Sequence, residues 1–354
     1  MKDLRPPNSD RAPHPSPAHR GAGPVRLALV AAAAVVTGLS GCGATSSADP
    51  AGTSSSAGPA DSSAGPADSP AARPGGATAG TRSGEPSGEP AEARPTAGAG
   101  AARALPAPGE PLPATPAKLA TALRETTAAL NAAIDRWKPA KGAPPRDVEL
   151  LALYHQRLYR HAARNRTLAD RAFARLPAAL AAQARDNVGA IRELLALARP
   201  IKPAAVFKVQ PARPAAELLA HFKRGERRFG VEWEVLAAVM LAETKFGRVR
   251  ADSHAGAQGP MQFMPATWRA YGMGGDVQDP GDAIMGAANY LRASGAPRDY
   301  RRALHAYNPS RAYVNAILLH ARQMKRDPRA YYAYYNWQVF VLTTEGERRL
   351  TGPK

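Results

Sequence analysis

Residues 233–247 read WEVLAAVMLAETKFG. Leu236, Val239 and Met240 recur at helical spacing, and the next position on that stripe is Glu243 (236 + 7, 239 + 4, 240 + 3). The spacing predicts a helix over 233–245 that stops at Gly247. A carboxyl therefore stands where the pattern calls for a leucine. Burial disfavours its charged form, and the negative end of the helix dipole lies within a turn of it; both effects raise its pKa. Lys245, Arg248 and Arg250 act in the opposite sense wherever they approach.

A glutamic acid that keeps its proton near neutrality suits proton donation to a leaving oxygen, as in glycoside cleavage. A structural Glu paired with an arginine fits the same helix, and the helix alone does not separate the two. Two further motifs lie downstream. Residues 253–265 run Ser253-His254-Ala255-Gly256-Ala257-Gln258-Gly259-Pro260-Met261-Gln262-Phe263-Met264-Pro265, and residues 306–310 run Ala306-Tyr307-Asn308-Pro309-Ser310. Together with Glu243-Thr244-Lys245-Phe246-Gly247 these resemble, in order and spacing, the lytic transglycosylases, which share the lysozyme-like fold. The Gln-Phe-Met-Pro-Ala-Thr-Trp and Asp-Ala-Ile…Ala-Asn-Tyr-Leu segments look closest to membrane-bound lytic transglycosylase B and its actinobacterial relatives. The resemblance covers roughly residues 214–324.

The resemblance implies that Glu243 is the acid/base, and that Ser253, Gln262, Tyr307, Asn308 and Tyr313 line the cleft around the sugar bearing the scissile bond. Ser, Gln and Asn suit an N-acetyl group, a ring hydroxyl or the carboxyl itself, and a Tyr face suits the apolar side of a sugar. Plainer structural roles stand beside these: Tyr313 as a core residue of its helix with Ile317 and Met324, Ser253 as the cap of a turn, Gly256 and Gly259 as turn glycines. The reaction implied is cleavage of the MurNAc–GlcNAc β-1,4 bond of peptidoglycan with closure of a 1,6-anhydro ring, which needs one carboxyl where most glycosidases use two. Hydrolysis by the same fold, or wall binding without catalysis, are the alternatives. Segment 272–279, GMGGDVQD, lacks the alternating carboxylates of a calcium loop, so neither metal nor cofactor is expected. Pro309-Ser310 also replaces the Ala-Gly that often follows Tyr-Asn in soluble relatives.

Working outward, helices are expected over 215–229, 281–294 (begun by Asp279-Pro280) and 311–325, with Ser310 as a cap. The aromatic tail 331–342 is expected to pack back on the domain, an extended sugar-binding surface being the alternative. Upstream, Thr115-Pro116 reads as an N-cap followed by Pro at the first helical position, ahead of Leu119, Leu123 and Leu130. Further helices are expected over 146–161 and near 179–198. The fold class expected is mainly α: a lysozyme-like catalytic domain (206–345) preceded by a helical subdomain (116–205) and a disordered linker.

That linker, 42–115, is built of Ala, Gly, Ser and Pro and includes tandem SSAGPAD copies at 55–61 and 62–68. It offers almost no bulky apolar side chain to offset chain entropy. Residues 1–41 read as an export signal: five basic residues precede the apolar run 27–36, which is too short to span a bilayer. The run leads into Leu39-Ser40-Gly41-Cys42, which resembles a lipobox and makes Cys42, the single cysteine, the expected lipidation site. The expected location is thus extracytoplasmic, anchored by lipid to the outer face of the cell membrane. Net charge is +18, carried by residues 116–354, where 38 basic side chains face 20 acidic ones. Such a surface favours polyanions. Anionic wall polymers fit the export signal; nucleic acid does not, and no nucleic-acid motif is present.

Overall fold

The computed structural model describes residues 104–137, 142–205, 208–253 and 255–354. The export signal, Cys42 and residues 42–103 of the linker lie outside the described residues. Eleven helices follow among the described residues: α1 (Pro116–Trp137), α2 (Arg146–Arg164), α3 (Arg166–Phe173), α4 (Ala178–Leu197), α5 (Ala215–Phe229), α6 (Trp233–Thr244), α7 (Pro265–Tyr271), α8 (Pro280–Ala293), α9 (Tyr300–Tyr307), α10 (Arg311–Arg326) and α11 (Arg329–Tyr335). They end in an antiparallel hairpin, β1 (Phe340–Thr343) and β2 (Gly346–Arg349), with Phe340 opposite Arg349. The fold is mainly α, and no helix among the described residues is long and apolar enough to cross a membrane.

Local chemistry starts these helices where the sequence indicates. The Thr115 Oγ1 accepts from the Lys118 N–H at 3.4 Å, with Pro116 at the first helical position. Asp279 caps α8 by accepting from the Asp282 N–H at 2.9 Å, and Ser310 caps α10 by accepting from the Tyr313 N–H. The short helices α3, α7, α9 and α11 have no expected counterpart. Each is about two turns long, too short for a periodic stripe to stand out.

Residues 104–115 depart from the linker expectation. They lie along α2, where the Arg157 guanidinium donates to the Glu110 carbonyl (2.7 Å), the Tyr154 hydroxyl donates to that of Pro111, and the His161 ring meets that of Pro113. Leu112 packs on the core. A proline-rich strap, whose one internal turn has the Glu110 N–H donating to the Ala107 carbonyl, is ordered here by side chains from its neighbour.

One hydrophobic cluster runs from Leu119 in α1 to Trp337, taking in α2, α4, α5, α6, α8, α10 and α11. Helix α4 packs lengthwise on α10, and α10 on α6. Gly225 lets α5 approach closely, since a Cβ there would stand 3.0 Å from Leu236 Cδ1 and 3.3 Å from Ala288 Cβ. The aromatic tail is interior. Tyr331, Tyr334, Tyr335 and Trp337 are all buried, and the three phenols donate to the Ala215 carbonyl, Asn187 Oδ1 and the Arg213 carbonyl. Buried amide groups tie the tail to α2: the Gln156 Nε2–H donates to the Gln338 carbonyl (2.9 Å) and the Gln338 N–H to Gln156 Oε1 (2.7 Å).

Helix α6 differs from its expected amphipathic form. Every residue from Glu234 to Thr244 is buried, because α5, α8, α10 and α11 surround it. No solvent face exists on which Glu243 could have stood, so its interior position follows from where the helix sits and not from the stripe.

Candidate active site

The last turn of α6 is held by a tight reversal. Lys245, Phe246 and Gly247 take φ of 53°, 60° and 80° in succession. Left-handed backbone costs a non-glycine residue about 1–2 kcal/mol, and the surrounding contacts offset it. The Phe246 N–H donates six residues back to the Met240 carbonyl. The Lys245 ammonium donates to the Leu241 carbonyl at 2.8 Å. Phe246 is fully buried, edge-on to Phe222 and Tyr331. The Thr244 hydroxyl accepts from the Gly247 N–H (2.9 Å) and donates to the Pro260 carbonyl (2.7 Å), binding the helix end to the next loop. Arg248 closes the turn, donating to the Lys245 carbonyl and stacking its guanidinium 4.8 Å above the Tyr335 ring.

Glu243 is 4% exposed. The Tyr313 hydroxyl, on the first turn of α10, donates to its Oε1 at 2.7 Å, whereas Oε2 has no partner among the described residues. Burial pushes the Glu243 pKa up to about 8; the Tyr313 hydrogen bond and the Lys245 charge pull it back less strongly. The group is an acid that holds its proton at neutral pH while one oxygen remains uncommitted. An unpartnered buried carboxyl oxygen costs about 1–3 kcal/mol, which a fold optimised for stability alone would remove.

The loop 253–263 is shaped by backbone hydrogen bonds. The Ser253 Oγ accepts from the Ala257 N–H (2.9 Å), and the Ser253 N–H donates to the Ala257 carbonyl. Gln258 and Phe263 exchange two N–H···O bonds, closing a hairpin over Gly259 and Gln262. Gln262 has φ 52° and its amide donates to the carbonyls of Gly259 (2.9 Å) and Ala251 (3.3 Å). Gly259 is sterically required, since a Cβ would stand 1.9 Å from the Val277 carbonyl oxygen.

The third motif completes the arrangement. Tyr307 ends α9, and its hydroxyl donates to the Met261 carbonyl at 2.6 Å, tying the hairpin to the helix. Asn308 caps the C-terminus of α9 through its N–H to the Leu304 carbonyl, and is 4% exposed. Two residues on, Ser310 starts α10, so the Tyr-Asn-Pro-Ser corner aims Tyr313 at Glu243.

Of the expected site residues, Glu243, Tyr307 and Tyr313 come together, the charge of Glu243 being felt by both phenols. Tyr313 is fully buried and meets the carboxyl, combining the core role with a functional contact. The hydrogen bonds of Ser253 and Gln262 serve the loop itself. Two residues outside the expected set extend the aromatic surface: Tyr271 and Tyr290 have ring centroids 4.7 Å apart, and Tyr290 lies 5.7 Å from Tyr307. Their rings are partly exposed. Tyr290 falls within the Ala-Asn-Tyr-Leu segment, the one signal that marked it. The 272–279 loop closes on itself, with Asp282 Oδ2 accepting from the Asp276 N–H at 3.0 Å.

No curated protein and no solved structure matches the chain at a significant level. Residues 220–328 match the family model described as Transglycosylase SLT domain. The match spans the helix bearing Glu243, the hairpin loop and the Tyr-Asn-Pro-Ser corner, and it supports a lytic transglycosylase of the lysozyme-like superfamily, an enzyme that cleaves the glycan of peptidoglycan.

Proposed function

We propose that this chain cleaves the MurNAc–GlcNAc β-1,4 bond of peptidoglycan and leaves a 1,6-anhydro-MurNAc end, with Glu243 as the only catalytic carboxyl. The observation that carries the reading is Glu243 itself: buried, protonated at neutral pH, held at one oxygen by Tyr313 and uncommitted at the other. Its proton passes to the glycosidic oxygen as the bond from MurNAc C1 breaks, and the sugar's N-acetyl group stabilises the positive carbon. The carboxylate so formed then takes the proton of the same sugar's 6-hydroxyl, whose oxygen closes onto C1. Glu243 regains its proton and no water is consumed. The match to the Transglycosylase SLT domain model favours this route over a two-carboxyl hydrolysis.

Ser253, Gln262 and Asn308 orient the sugar's polar groups in this reading, and Tyr307 offers it a ring face. The chain is of the membrane-bound B type, anchored through lipid on Cys42 outside the cytoplasmic membrane, and its basic surface favours anionic wall polymers.

Digestion of purified sacculi followed by mass spectrometry tests the reaction. Wild type is expected to release anhydro-muropeptides, and Glu243→Gln none. Reducing-end products would make the enzyme a hydrolase. Release at the wild-type rate by Glu243→Gln would remove the carboxyl from the mechanism altogether.

A further inference from the structure

Helix α5 carries a stripe of cations that the fold leaves unopposed. Its apolar side, with Leu218, Phe222 and Gly225, is buried where α5 packs on α6 and α8. At about 100° per residue, Lys223, Arg224, Arg227 and Arg228 fall within roughly 140° of arc on the opposite side, and all four are exposed. The two acids of the helix are engaged elsewhere. Glu217 pairs with Arg213 and lies beside His221, and Glu226 accepts from the Trp233 N–H. Arg228 stands 5.3 Å over the Phe229 ring, which orients the guanidinium without neutralising it. Among the described residues no carboxylate pairs with any of the four.

Helix electrostatics accounts for half of this arrangement. Cations in the last turn complement the helix dipole, which serves Arg227 and Arg228. The effect fades beyond that turn, so Lys223 and Arg224 gain little from it. Like charges four residues apart, 223 with 227 and 224 with 228, also repel. Helix stability alone therefore disfavours four unopposed cations over two turns. The stripe is set apart from the catalytic carboxyl: Gly225 stands against Leu236 of α6, and Glu243 lies seven residues further along that helix, about 10 Å at 1.5 Å per residue.

A narrow line of charges suits a linear polyanion, and the guanidinium fork matches phosphate oxygens. A helix that lies on a lipid surface adds large apolar side chains that insert beside its cations. Among the described residues the exposed large hydrophobics are Leu105, Val209 and Met273, none of them on α5.

We propose that the α5 stripe docks a linear phosphodiester polymer of the cell wall and so holds the enzyme beside the glycan it cleaves. The proposal rests on the extracytoplasmic location given above and assigns to one helix face the attraction of the basic surface for wall polymers. It does not depend on Glu243 being catalytic.

Titration of the full chain into fluorescently labelled poly(glycerol phosphate) tests it. Binding is expected to saturate at low salt and to weaken at least tenfold at high salt. The variant Lys223→Gln/Arg224→Gln/Arg227→Gln/Arg228→Gln should bind at least tenfold more weakly than wild type. A control, Arg166→Gln/Arg171→Gln/Arg175→Gln/Arg185→Gln, removes the same charge from exposed positions in and beside α3 and α4 and should lose less than threefold. Glutamine keeps a good helix propensity, and circular dichroism checks both folds. The titration needs no turnover and cell fractionation tests the location, so failure of the cleavage or of the location is seen separately from failure of the stripe. The proposal is overturned if wild type shows no saturable binding, or if the control loses as much affinity as the stripe variant. It is also overturned if phosphatidylglycerol vesicles bind wild type as tightly as the polymer, which would make the partner a lipid surface.

Discussion

At the residue scale, Glu243 and Tyr313 make two predictions. In the proposed mechanism Glu243 must be protonated to donate, so kcat/KM should fall as pH rises through about 8. Tyr313→Phe removes the hydrogen bond that favours the carboxylate, so the alkaline limb should move to higher pH while the rate drops about tenfold or more from lost orientation. A pH–rate profile of both proteins separates this from a purely structural role, which would lower activity without moving the limb. The second prediction concerns stability. Between about pH 4.5 and 8 the folded protein retains a proton on Glu243 that the unfolded chain has released, so this group makes stability fall as pH rises across that window. Burial of Lys245 acts in the opposite sense from about pH 7 to 10.5, and the buried His155 and His320 do so from about pH 3 to 6.5. Urea unfolding of wild type and Glu243→Gln at several pH values isolates the glutamate: their difference should shift in favour of the variant from pH 5 to 8. A difference that stays flat would mean Glu243 is not held protonated.

At the scale of elements, the geometry of the hairpin loop matters more than helix capping. Gly259→Ala forces a Cβ against the Val277 carbonyl in a left-handed turn and should cost about 3 kcal/mol or more. Asp279→Ala removes one cap of α8 and should cost about 1 kcal/mol. Denaturation midpoints rank the two, and a Gly259→Ala protein as stable as wild type would show that the loop can move freely. The same elements mark how far the sequence could be read. Caps at Thr115, Asp279 and Ser310 are local, and the helices they begin were expected within a few residues. The character of α6 was not. A stripe of Leu236, Val239 and Met240 looks amphipathic, yet the alanines between them are buried too, because four helices enclose α6. The left-handed run at Lys245 and Phe246 also carries no local mark, since neither residue type favours that backbone and only its tertiary contacts hold it there.

For the molecule as a whole, the continuous core from α1 to the tail means that residues 105–354 should unfold in one step. Trp137, Trp233, Trp268 and Trp337 sample both the early and the late helices, so fluorescence and far-ultraviolet circular dichroism should give coincident transitions. A fragment beginning at residue 206 would leave the α4-facing side of α10 uncovered and should fail to give a cooperative transition. Two separated transitions in the longer protein would instead mean that the early helices form a unit of their own.

The sequence by itself determined the helical class and the order of the three motifs, and those motifs singled out Glu243 as the candidate acid, because caps, periodic apolar residues and short motifs act over a few residues of chain. Tertiary structure alone decided that Tyr313, seventy positions away, is the phenol on that carboxyl, and that Tyr271 and Tyr290 continue the aromatic surface of Tyr307. Burial, and the pKa it raises, depends on everything packed around a group, which no local window of residues contains.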